Sequence, residues 1–152
     1  MVYIVLSVTV WLLDRFTKIW VAKTLPLWSS RPLLGKWLSL THARNTGAAF
    51  GLLSGQAVTL GIFGLACLAA LLFWRESIYQ LSCWGKLALA LTVGGAAGNL
   101  FDRLVYGYVI DFLDLGWWPI FNVADCALVV GTGMLIWVLW RSELGGGHRA
   151  GV

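Results

Sequence analysis

The chain has 152 residues, 59% hydrophobic and only 12% charged, with a mean hydropathy of +0.80. Soluble globular domains average about 25% charged residues, so the composition excludes an ordinary water-soluble domain and points to one embedded in lipid. The formal net charge of +4 comes from scattered basic residues, which excludes a nucleic-acid patch and fits charges flanking a membrane.

The first apolar run, residues 2–24, has no basic residue before it and no small-residue cleavage site after it. It continues through Asp14 and Lys18, so it reads as a retained membrane helix rather than a signal-peptide core. Asp14 and Lys18 are four apart, share one helix face and can pair. The pairing fits a self-neutralising ion pair, a pair supporting a nearby site, or a direct catalytic role. Residues 25–55 break the hydrophobic pattern with Pro26, Pro32, Gly35, Gly47 and Gly51, and Lys36-Trp37-Leu38-Ser39-Leu40 is β-prone. At the end of this loop, Asn45-Thr46-Gly47-Ala48-Ala49-Phe50-Gly51 permits close backbone approach. There Asn45 can hold an extended peptide by its main-chain groups, although the stretch alone is also a plain glycine-rich turn.

Further apolar runs cover residues 56–75, 85–105 and 122–141, each approaching or reaching the ~20 residues that span ~30 Å of hydrocarbon. A short turn, 76–84, joins the second run to the third. The third contains Gly94 and Gly98, a GxxxG pair that lets two helices approach closely. Asn99 and Arg103 follow on one stripe that Asp102 can join, forming either a staple between helices or a hydrogen-bonding wall beside a substrate. The loop 106–121 is aromatic and acidic, and Val109-Ile110-Asp111-Phe112-Leu113 reads as extended. Asn122 and Asp125 have the spacing of a helix-capping pair. The tail Gly145–Gly151 reads as flexible.

Parity places loops 25–55 and 106–121 on one side. Loop 106–121 lacks Lys and Arg and should face out, whereas Arg75, Lys86 and Arg141 flank the inner ends, giving an N-in, C-in expectation. Arg31, Lys36 and Arg44 run against that rule, and a folded segment resting on the membrane accounts for them. Cys67, Cys83, Cys126, His42 and His148 show no metal-ligand spacing, so no metal is expected.

Asp111 and Asp125 are the most informative residues. A carboxylate at membrane depth costs at least ~2.5–3.5 kcal/mol on insertion scales unless used or paired. Asp125 is explicable as a capping residue whose charge the helix N-terminus favours. Asp111, between Ile110 and Phe112, has no such account, and burial should keep it protonated. One ionised and one protonated carboxyl are what water activation requires.

Together these segments resemble bacterial lipoprotein signal peptidase, signal peptidase II. The matching stretches are Asp14-x-x-Thr17-Lys18, Asn45 to Gly51, Gly94-Gly95-x-x-Gly98-Asn99-x-x-Asp102-Arg103, Val109-Ile110-Asp111-Phe112 and Phe121-Asn122-x-Ala124-Asp125, in the family's order and over nearly the whole chain. The resemblance implies an all-α membrane protein: a single domain, 1–152, of four transmembrane helices with a small extracytoplasmic β-cradle and a short amphipathic segment. It implies an aspartic endopeptidase of the bacterial inner membrane, cutting prolipoproteins before a diacylglyceryl-modified cysteine. Asp111 and Asp125 would be catalytic; Asn45, Gly47, Asn99, Arg103, Asn122, Asp14 and Lys18 would bind substrate or support the site. No cofactor is expected, and membrane lipids and the substrate are the expected partners of a monomer. Cys126, directly after Asp125, carries no chemistry in such a family. The competing reading is a small transporter or proton-conducting protein using intramembrane carboxylates.

Overall fold

In the computed structural model, the residues described are 2–47, 53, 55–74, 76 and 82–146. Ala48 to Gly51 of the glycine-rich stretch, Arg75, most of the 76–84 turn, His148 and the end of the tail lie outside them.

Among the described residues, four helices carry the chain: α1 (Val2–Thr24), α2 (Ala57–Phe73), α3 (Cys83–Tyr106) and α4 (Val123–Gly146). They fall close to the four apolar runs, and α1 and α3 end at residues that stop a helix. Pro26 follows α1 and cannot continue it. Ser82 caps α3, accepting from Gly85 N at 3.2 Å, and Gly107 ends it in the left-handed region at φ 74°, which glycine adopts without a Cβ clash. Val123–Ser142 of α4 is long and apolar enough by itself to cross a membrane, and Ala57–Leu71 of α2 is a shorter apolar stretch.

Between the helices run three strands, β1 (Ser30–Leu34), β2 (Leu38–Asn45) and β3 (Val109–Asp114), in one antiparallel sheet of order β1-β2-β3. The β2–β3 pairing joins the two long loops at one end of the bundle. Its register sets Ala43 opposite Asp111 and Asn45 opposite Val109. Side chains two apart share a sheet face, so Asn45 lies diagonally across from Asp111, within reach of its carboxyl. The opposite face of β3 carries Phe112, which packs with Val21, Leu25 and Leu40 and seats the sheet on the end of α1. The part of loop 106–121 after β3 is an irregular bend with exposed Trp117 and Trp118, rejoining the sheet where Phe121 bridges Leu113.

Helix α3 packs against α1, α2 and α4. Its GxxxG pair meets α1: a Cβ on Gly94 would fall 2.7 Å from Ser7 O, and one on Gly98 2.7 Å from Asp14 Oδ2. The burial pattern is inverted relative to a soluble protein. Asp14, Lys18 and Asp102 are 0% exposed, while Phe16, Phe63, Val129 and Ile136 are more than 60% exposed.

Candidate active site

Helix α4 begins with a reciprocal cap. Asn122 Oδ1 accepts from Asp125 N at 2.9 Å, and Asp125 Oδ2 accepts from Asn122 N at 3.1 Å, so two otherwise orphaned N–H groups are satisfied. The capping pair read from the sequence is therefore real, and it does not exhaust Asp125. The second carboxylate oxygen, Oδ1, accepts from Asn99 Nδ2 at 2.7 Å and lies in the first turn of α4, where the helix dipole favours negative charge.

Asp111 arrives from β3 and is 3% exposed. Its Oδ1 accepts from Asn122 Nδ2 at 2.6 Å and its Oδ2 from Asn45 Nδ2 at 2.9 Å. Burial, and next the neighbouring charge of Asp125, push the Asp111 carboxyl up to about 7; the two amide donors pull the other way and do not prevail. Asn122 thus touches both carboxylates, with its backbone and carbonyl oxygen on Asp125 and its amide nitrogen on Asp111.

The three asparagines follow one logic. A carboxamide offers an acceptor and a donor, and whatever binds the oxygen decides where the NH2 points. Gly47 N donates to Asn45 Oδ1 at 2.9 Å, Asp125 N donates to Asn122 Oδ1, and Lys18 Nζ donates to Asn99 Oδ1 at 2.9 Å. Each amide nitrogen is left facing a carboxylate. The Asn45 carboxamide is occupied within the chain, by Asp111 and Gly47. Arg103 Nη2 donates to Gly47 O at 3.2 Å, strapping the turn after β2 to α3.

Asp14 and Lys18 pair as their spacing required, at 2.7 Å, and Lys18 Nζ also meets Asp102 Oδ2 at 2.8 Å. Asp14 Oδ1 accepts from Ala124 N at 2.9 Å, so a side chain of α1 helps cap α4. Asp102 meets Asn99 at the Lys18 ammonium but parts from Arg103. Successive residues turn by about 100° on a helix, so Asp102 and Arg103 diverge, and Asp102 turns to α1. There it pairs with Lys18 and with Arg15, which also bonds Tyr106 Oη at 3.2 Å and stacks 4.8 Å from the Phe101 ring centroid. Sequence reasoning missed Arg15, although a cation beside Asp14 in an apolar run was a signal for it.

Asn45, Asn99, Arg103, Asp111 and Asp125 line a cleft of about 300 Å³ with Trp118, Pro119 and Phe121. A longer, mainly apolar groove of about 620 Å³ runs from Asn99, Arg103 and Asp125 between α2, α3 and α4 to Leu71 and Leu135. An apolar recess of about 440 Å³ lies across α4, lined by Trp117, Trp118, Asp125 and Cys126. Among the described residues, no group of three or more His, Cys, Asp or Glu side chains is placed to hold a metal ion. The arrangement brings two carboxyls to one cleft, with a mainly apolar groove running from it.

The signal peptidase (SPase) II family model matches residues 6–141. A lipoprotein signal peptidase of Syntrophomonas wolfei is 46% identical over 130 residues, 84% of this chain and 85% of that protein. One of Halothermothrix orenii is 38% identical over 145 residues, covering 94% and 97%. A solved structure of a bacterial membrane enzyme, obtained by the in meso method, superposes with a TM-score of 0.90 at 32% identity, covering 99% of this chain and 94% of the other. A second such structure gives 0.83 at 34% identity.

Proposed function

The chain belongs to the signal peptidase II family, and from that premise we propose that Asp111 and Asp125 are the reacting carboxyls of an aspartic endopeptidase. It removes signal peptides from prolipoproteins, and the bond cut is the one preceding the diacylglyceryl-modified cysteine. The observation that carries the assignment is the bridge made by Asn122, with Asp111 Oδ1 at 2.6 Å from its amide and Asp125 Oδ2 at 3.1 Å from its backbone N–H.

At rest the pair shares one proton, held by Asp111, because two neighbouring carboxyls resist double ionisation. Asp125 takes a proton from the water as its oxygen attacks the scissile carbonyl carbon, and Asp111 gives its proton to the carbonyl oxygen. The resulting gem-diol collapses when Asp125 returns its proton to the departing amine nitrogen and Asp111 recovers one from a diol hydroxyl. The C–N bond breaks, and the pair is back to one proton. Asn45, Gly47 and Arg103 shape the cleft for an extended peptide, while the groove beside α2 takes apolar substrate.

All four helices cross the bilayer in this reading, with both termini inside and the sheet at the outer face of the inner membrane. Two features support it: the outward apolar surfaces with inward charges, and a loop 106–121 without Lys or Arg. The bend with Trp117 and Trp118 serves as the amphipathic segment at the interface, and the monomer with its lipid shell is the working unit. A lipidated precursor in liposomes tests the assignment. Wild-type protein should cut it, and Asp111→Asn and Asp125→Asn, with unchanged helix content, should not. Activity in either folded variant refutes the carboxyl pair.

A further inference from the structure

Lys18 is fully buried and is not among the residues lining the cleft. Its ammonium meets three oxygens: Asp14 Oδ2 at 2.7 Å, Asp102 Oδ2 at 2.8 Å and Asn99 Oδ1 at 2.9 Å. Two of them belong to carboxylates on separate helices that fix the ammonium in place. The third belongs to the one carboxamide that meets Asp125 from α3.

An ammonium has only donors to offer. If Asn99 turned over, its NH2 would face the Lys18 ammonium donor to donor, and also Asn122 Nδ2, which now donates to Asn99 Oδ1 at 3.2 Å. Asn122 Nδ2 would keep Asp111 Oδ1 and Ile110 O and Lys18 its two carboxylates, so what opposes the overturned form is the crowding of donors against donors. The overturned carboxamide would also set its oxygen against Asp125 Oδ1, which it now serves with a 2.7 Å donor. Two acceptors at that distance require a proton between them, and the carboxyl would have to keep it.

We propose that Lys18 is a positioning residue that locks the Asn99 carboxamide with its N–H toward Asp125, so that Asp125 stays free to take the proton of water. Lys18 touches neither substrate nor reacting atoms. Its hydrogen-bonded path to Asp125 runs through Asn99, and Asp14 and Asp102 hold it on that task. The inference rests on the assignment of Asp125 as a reacting carboxyl.

A double-mutant cycle on precursor cleavage tests it. Lys18→Met should lower kcat about 10²-fold, as loss of one oriented donor at a reacting charge does, with KM within about twofold. Asn99→Ala should cost a similar factor, and Lys18→Met combined with Asn99→Ala no more than either alone, because both remove the same donor. Because Lys18→Met leaves Asp14 without its cation and Asp102 with Arg15 alone, the cycle is repeated in an Asp102→Asn background, where one cation and one anion leave together. Multiplying losses, about 10⁴-fold in the double variant, would overturn the inference, as would a raised KM with kcat intact or full kcat in the charge-balanced variant. If Asp125→Asn is inactive and Lys18→Met fully active, only this inference fails. If Asp125→Asn is active, the carboxyl-pair reading itself falls.

Discussion

Asn122 performs two tasks that a single substitution can separate. Its Oδ1 caps α4 by accepting from Asp125 N at 2.9 Å, and its Nδ2 donates to Asp111 Oδ1 at 2.6 Å. Asn122→Ser keeps a good cap, since serine ranks with asparagine there, but the hydroxymethyl group is too short to serve Asp111 as well. Asp111 becomes anionic in the transition state as it protonates the carbonyl oxygen, so the lost donor mattered most at that moment. A hydrogen bond to a charged group is worth about 1.5–3 kcal/mol, which corresponds to roughly a 10- to 150-fold fall in kcat. The donor also favours the ionised form of Asp111. Its removal raises the Asp111 pKa above about 7, and the alkaline limb of the kcat profile, which marks loss of that proton, should move to higher pH. Asn122→Ala should show the same kinetics and in addition a melting point lowered by the missing cap, about 1 kcal/mol. Steady-state cleavage of a lipidated precursor between pH 5 and 9, with thermal unfolding in detergent, reads all three quantities. Wild-type kcat in Asn122→Ser, or an alkaline limb moved to lower pH, would refute the role given to Asn122.

Two other outcomes follow from the geometry. Gly98→Ala places a Cβ 2.7 Å from Asp14 Oδ2 and 3.2 Å from the Ala124 Cβ, so it should lower stability by about 1–3 kcal/mol and reduce cleavage. Gly133→Ala on α4, with nothing within 4 Å, should leave stability unchanged or raised in the same melting assay; equal effects at the two sites would contradict the close approach of α1 and α3. Cys126 is exposed and lines the recess beside Asp125. Alkylation with a bulky maleimide should therefore block cleavage, while Cys126→Ala remains active and resists the reagent; an inactive Cys126→Ala would return chemistry to the thiol.

Much of this site is legible from spacing because its residues sit on regular elements. Asp14 and Lys18, Gly94 and Gly98, Asn99 and Arg103, and Asn122 and Asp125 are all i,i+3 or i,i+4 pairs, and helical geometry alone brings such pairs to one face. The strand around Asp111 announces itself by Val109, Ile110 and Phe112. Contacts between elements are less legible. Nothing in the spacing says that Asp102 turns from its neighbours to meet Lys18 and Arg15, or that Asp14 reaches the N-terminus of α4. The partner of Asn45 depends on the β2–β3 register, which is irregular between Leu40 and Ala43. A slip of one residue would turn every side chain beyond it to the other face and part Asn45 from Asp111.

Four buried charges stand behind the proposed reacting pair, and their sum explains how they are tolerated. Asp14 and Asp102 oppose Arg15 and Lys18, leaving no net charge, and Asp102 touches both cations. Several kcal/mol of desolvation per ion is still a high cost, and stability alone gives little reason to accept it. Helices in lipid lack a hydrophobic force that selects one packing over another. Polar contacts supply direction instead. Asp14 shows how, because one carboxylate engages Lys18 on its own helix, abuts Gly98 of α3 and accepts from Ala124 N of α4. Any slide of α1 against α3 or α4 breaks at least one of these contacts and strands a charge, at about 3–5 kcal/mol. The next residue of α4 after Ala124 is Asp125. The same contact that fixes the helix register therefore fixes the height of the carboxyl proposed to meet the scissile bond, and in that reading the charge quartet serves catalysis through position rather than through chemistry.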